Sequence, residues 1–169
     1  LSGANLFYVN LTGVDMSDKD LTGTVLKGAI LMNTNLTGAN LESTNLTGVD
    51  LSGKDLTGTI LKGADLSDKD LTGTVLKGAN LENVILTGVD MSGVNLAGTT
   101  FRDVDLSDKN LAGTVLKGAV FIDTDLTGVD LSGKDLARTT FRDVDLSGKD
   151  LAGASLKGAN LENTILTGV

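Results

Sequence analysis

Cysteine, histidine, proline and tryptophan are all missing from this chain, and aromatic residues amount to one tyrosine and four phenylalanines. Without cysteine there are no disulfides and no thiolate chemistry, and the compartment stays open, with the cytoplasm as default. Without histidine or cysteine, the side chains left for catalysis are Asp, Glu, Lys, Ser, Thr and Tyr8. The shortage of aromatics excludes a core built on a few large side chains and implies many small, similar contacts. Long apolar runs are lacking too. Stretches such as Ala29 to Met32 and Ala119 to Ile122 stop at four residues, far short of a bilayer span. Positive charge is in deficit: the net charge is −8, which disfavours direct contact with nucleic acid or anionic membranes.

What is present is a period of five. Of the 34 positions 1, 6, 11 and onward to 166, 29 are Leu, two are Met and three are Phe, and no Leu lies elsewhere. All 22 glycines fall two residues after these positions, and the exceptions there are mostly Asp, Asn or Ser. Those types tolerate positive φ or make local turn bonds, so the slot reads as a recurring bend. Two residues before each central position stand Val, Thr, Ala or Lys, and the slot immediately before it is rich in Asp and Asn. Five fits neither a helix nor a flat strand. One large and one small residue facing inward, followed by a bend, describes one side of a coiled solenoid.

The stretch "GANLESTNLTGVDLSG" resembles consecutive copies of the A(D/N)LXX motif of the pentapeptide-repeat family, and the pattern runs through the whole chain without insertion. The resemblance implies an all-β fold, a right-handed quadrilateral parallel β-helix of about eight coils with four pentapeptides per coil. Residues 20 apart then stack at about 4.8 Å, giving a rod on the order of 40 Å long. Leu51, Leu71, Met91, Phe101, Phe121 and Phe141 are expected in its core, with the three Phe in one column. Residues 46–85, 86–125 and 126–165 also repeat over 40 positions, 27 of which agree between the last two blocks. That points to duplication, so features recurring every 40 residues are weak signs of function. A single domain, 1–169, is expected, taken from a longer chain.

Glycines spaced by five imitate other motifs. "GVDLSGKD" at 48–55 and 128–135 satisfies GxxxxGK but carries Asp where a phosphate loop needs Ser or Thr for magnesium. "DKDLTG" at 18–23 and 68–73 opens like a calcium loop, yet Ala29 or Ala79 stands where the bidentate Glu belongs. Sequons at Asn10, Asn35 and Asn45 follow from NLT in the repeat and matter only in a secreted chain. Hydroxyls recur after the central Leu as a ladder, not as a nucleophile beside a base. No enzyme, cofactor or metal site is expected.

Charge is more informative. The column Glu42, Lys62, Glu82, Arg102, Ile122, Arg142, Glu162 mostly alternates in sign, as a self-compensating face would. The column Asp50, Asp70, Asp90, Asn110, Asp130, Asp150 stacks like charges, which makes it the better candidate surface for a basic partner. Lys19, Lys54, Lys69, Lys109, Lys134 and Lys149 occupy the inward small-residue slot. Their stems are expected to fill the edge of the interior while the ammonium groups reach Asp or carbonyl oxygens at a corner.

The expected function is a structural or protein-interaction scaffold with an unidentified protein partner, and exposed coil edges leave end-to-end association open. A second reading follows from the resemblance: some family members mimic DNA and bind type II topoisomerases such as gyrase. Matching the charge density of DNA over 40 Å would need on the order of 24 negative charges. A third reading, binding to an ordered surface such as ice, rests on Thr47, Ser67, Thr87, Ser107, Thr127 and Ser147 in one column.

Overall fold

The computed structural model describes all residues, Leu1–Val169, and forms the right-handed quadrilateral β-helix. Every pentapeptide makes one corner. The residue two after the central Leu, Met or Phe has positive φ throughout, whether it is one of the glycines or a substitute such as Asp68 (φ 56°) or Asn83 (φ 54°). The next residue donates its N–H back to the central carbonyl, as in Ala64 to Leu61 (2.9 Å) and Thr74 to Leu71 (2.9 Å). Positive φ at the third residue of such a turn is the type II signature. The Asp/Asn slot belongs to the same corner: its Oδ1 accepts the N–H two residues on, as in Asn40 to Glu42 (3.0 Å) and Asp70 to Thr72 (2.8 Å).

Four corners close a coil, and residues 20 apart pair in parallel, as Ile60 with Asn80 and Asn80 with Thr100. The first face carries Leu1, Leu21 and onward, the second Leu6, the third Leu11 and the fourth Met16. Each central side chain points into the rod, where Leu, Met and Phe merge into one apolar cluster. Threonine fits the inward slot beside Ala and Val because its hydroxyl is satisfied there. Thr44 donates to the Leu21 carbonyl of the preceding coil (3.0 Å), and Thr59 to its own turn at Leu56 (2.8 Å). No buried side-chain polar atom lacks a partner.

Three short strands lie on the first face: β1 (Thr100–Arg102), β2 (Val120–Ile122) and β3 (Thr140–Arg142), paired in parallel in that order. They surround Phe101, Phe121 and Phe141, all fully buried, with rings stacked at centroid distances of 5.3 and 5.1 Å. The coil spacing matches the separation at which offset aromatic rings attract. These are also the only corners whose turn bond is missing: Val104, Thr124 and Val144 make no N–H bond to the Phe carbonyl. Where Phe replaces Leu, the chain is extended up to Arg102, Ile122 and Arg142 and then bends at the aspartate that follows, without the turn bond.

Stitching between coils is uneven. The first face is bridged at every step from Asp20–Asn40 to Thr140–Asn160. On the third face, bridging stops after Asn10–Ile30. At each corner a second inter-coil bond runs from the positive-φ residue to the carbonyl 19 residues on, as in Gly63 to Glu82 (2.9 Å). This bond is absent wherever the acceptor is a serine, namely Ser52, Ser67, Ser92, Ser107, Ser132 and Ser147.

Candidate interaction surface

Six-residue segments of the pattern Asp-Leu-Ser-x-Lys-(Asp/Asn) are detached from the coil before them, at 50–55, 65–70, 105–110, 130–135 and 145–150. Each carries one inward-slot lysine. The side chains of Lys54, Lys69, Lys109, Lys134 and Lys149 are half-buried and Lys19 in the first coil is exposed, but of the oxygen partners expected for the six amines only a carbonyl at Lys134 is found, and none pairs with an Asp. Lys134 Nζ donates to the Leu111 carbonyl (2.7 Å), the same partner, 23 residues back, that a threonine in this slot reaches. Burial lowers the Lys69 pKa, and the Asp65 carboxylate opposes the shift. Open grooves beside Lys54, Lys69, Lys109 and Lys149 mark the detached segments on the surface.

The third face carries the like-charged column. Asp50, Asp70, Asp90, Asp130 and Asp150 are exposed, and each accepts the N–H two residues on at 2.8 to 2.9 Å. Hydrogen bonds from Ser52 lower the Asp50 pKa, and those from Ser132 lower that of Asp130. Bonds from Thr72 do the same for Asp70, against the opposing charge of Asp50. Asn110, the neutral member of the column, holds the same local bond to Ala112 (3.0 Å). The corner geometry thus fixes the carboxylates, and the charge is carried without being needed for the turn.

Leu51, Leu71 and Met91 lie inside with the three Phe. The alternating column is less paired than its sequence implies. Lys62 and Glu82 meet at 3.1 Å, but Glu42–Lys62, Glu82–Arg102 and Arg142–Glu162 do not close. Arg142 instead turns to its neighbour Asp143 at 3.9 Å. These side chains are partly exposed, and water competes with each pair. The hydroxyl column is also uneven: Asp68 bonds to the Thr87 carbonyl (2.8 Å), whereas Gly48 makes no bond to Ser67. Its serine corners sit on detached segments, so backbone stitching along the column alternates between bonded and unbonded steps. No group of three or more acidic side chains is arranged to hold a metal ion.

Phe7, which the sequence pattern does not mark, and Tyr8 stand exposed on the second face, their rings 4.2 Å apart. Lys27 Nζ lies 5.8 Å from the Phe7 ring, and the Tyr8 ring covers Gly28. Tyr8 interrupts the small-residue repeat, which was the signal available.

The family model described as pentapeptide repeats matches the chain in eight copies, over residues 1–38, 20–53, 34–73, 70–103, 95–133 and 135–169. No curated protein sequence is significantly similar to the chain. Among solved structures, HetL, a pentapeptide repeat protein involved in heterocyst differentiation regulation from the cyanobacterium Nostoc sp. strain PCC 7120, is 28% identical. The alignment covers 97% of this chain and 90% of HetL, with a TM-score of 0.46. A trypsin-treated form of QnrB1, a plasmid-mediated fluoroquinolone resistance protein, is 18% identical over 98% of this chain and 84% of its own, with a TM-score of 0.52. A pentapeptide repeat protein of the Arabidopsis thaliana thylakoid lumen is 25% identical over 74% of this chain and 70% of its own, with a TM-score of 0.33.

Proposed function

Because the chain belongs to the pentapeptide-repeat family, we propose that it is a non-catalytic interaction scaffold whose third face docks a basic protein partner. The observation that carries this reading is the column Asp50, Asp70, Asp90, Asp130 and Asp150, exposed and fixed in direction by bonds to its own corners. Preoriented charge of one sign favours an opposite surface and speeds encounter more than it adds affinity. The lack of histidine and cysteine, together with grooves that stay open to solvent, supports a binding role over a catalytic one. Net charge argues against DNA mimicry, since −8 is a third of the roughly 24 charges that a 40 Å length of duplex would present.

The test replaces the five aspartates by asparagine, which Asn110 shows to be compatible with the corner. Proteins cross-linked to the rod in a cell extract are compared for the wild type and the Asn variant. A partner with a basic surface, retained by the wild type and lost with the variant, is the expected result. Equal capture by both would remove the column from the interface, and no specific capture would remove the scaffold reading. Inhibition of DNA supercoiling by gyrase would favour the topoisomerase reading instead.

A further inference from the structure

We propose that the segments carrying Lys54 and Lys134 are built-in openings in the coil stack, wedged apart by these two lysines, so that the rod flexes between coils while its first face serves as a continuous spine. The fourth face offers a controlled comparison. Along it, each central residue donates its N–H to the carbonyl 19 residues on: Met16 to Asn35 (2.8 Å), Leu56 to Val75 (2.8 Å), Leu76 to Asn95 (2.9 Å), Leu96 to Val115 (2.9 Å) and Leu136 to Ser155 (2.9 Å). Only Leu36 and Leu116 fail to make this bond. Their acceptors would be Asp55 and Asp135, and the residues just before those are Lys54 and Lys134. At the bonded steps the same slot holds Thr34, Thr74, Val94, Thr114 or Ala154.

The step at Val94 separates the two contributions. It follows Ser92, and the Gly73 bond to that serine is missing just as it is before Lys54 and Lys134. Yet the chain reseals by Asn95, which is bridged to Val75. On this face, with Lys54 or Lys134 in the slot, the opening extends to the aspartate, whose bonds with the coil before it are missing. A four-carbon stem ending in an ammonium cannot be sealed in a slot sized for Val or Thr. At Lys134 the ammonium reaches back to the Leu111 carbonyl of the preceding coil. Backbone groups on both lips lack their inter-coil partners, and regions with fewer such bonds open at lower free energy. The third face is nearly unbridged, whereas the first is bridged throughout. Bending therefore hinges on the first face and separates the coils opposite it.

Amide hydrogen exchange resolved by residue tests this on the full chain. In the wild type, Leu36 and Leu116 are expected to exchange at least about tenfold faster than Leu76, Phe121 serving as a reference on the spine. The separate substitutions Lys54→Val and Lys134→Val should slow Leu36 and Leu116 respectively to the rate of Leu76, with no change at the other site. Wild-type rates at Leu36 and Leu116 equal to that at Leu76 would overturn the openings. Fast exchange persisting in the folded valine variants would overturn the lysine as their cause. Should either variant fail to fold, the lysine would be a structural requirement and the wedge would again be wrong.

Discussion

Positive φ at every corner makes glycine a conformational choice at most sites. An added Cβ at Gly53 would meet nothing within 4 Å, so a substitution there measures backbone preference alone. Gly53→Ala should destabilise by about 1 to 2 kcal/mol. Gly53→Asn should cost less, because asparagine visits this region readily and already occupies it at Asn33, Asn83 and Asn163. Urea denaturation of the two variants checks the order, and an Asn variant less stable than the Ala variant would contradict it. At this scale the sequence was easily read: a slot holding Gly, Asp, Asn and Ser signals a bend wherever it occurs. The lysine slot was harder. All six inward lysines stand two residues after a serine, but that regularity acquires meaning only once the missing bonds to the serine carbonyls are seen.

Among elements, the Phe strands differ from the surrounding corners although the period of five never changes. That is why periodicity located Phe101, Phe121 and Phe141 in the core but did not disclose the strands around them or the missing turn bonds. Phe121→Leu should be tolerated at about 1 kcal/mol, since Leu81 and Leu161 occupy the same column. It should also restore the turn bond from residue 124 to residue 121, as at Leu81 (3.3 Å) and Leu161 (3.2 Å). Phe121→Ala should cost about 3 to 5 kcal/mol by leaving a cavity between two stacked rings. Calorimetry of both variants and a crystal structure of the Leu variant check these outcomes.

The corner bonds also couple stability to pH. Asp15, Asp20, Asp50, Asp55, Asp65, Asp70, Asp105, Asp130 and Asp145 all have pKa values below the ordinary 3.8, chiefly through hydrogen bonds from the hydroxyl and N–H two residues on. A carboxyl depressed by folding contributes its stability in full above its unfolded value and loses it as pH falls through the folded one. Melting temperature should therefore change little from neutrality down to about pH 5 and drop steeply below about pH 4. Thermal melts across that range measure it, and stability rising on acidification would show that relief of repulsion outweighs the corner bonds.

For the whole molecule, repeat architecture was legible because every coil poses the same burial problem, and stacking neighbours is its common solution. The asymmetry between the spine and the opposite face was not, since lost inter-coil bonds leave no insertion or change of period in the chain. Electrostatics now bear on that asymmetry, because the weakly bridged third face is also the one where Asp50 opposes ionisation of Asp70. Salt should stabilise the rod by screening this column, with most of the gain reached by about 0.15 M, where the screening length is about 8 Å. Replacing Asp70 by Asn relieves repulsion with Asp50 and retains an acceptor for Thr72, so urea denaturation should find it neutral or slightly stabilising. In the fivefold Asn variant the rise in melting temperature with salt should shrink. An undiminished salt response in that variant would place the repulsion elsewhere on the rod and leave detachment of the third face to the serine and lysine segments alone.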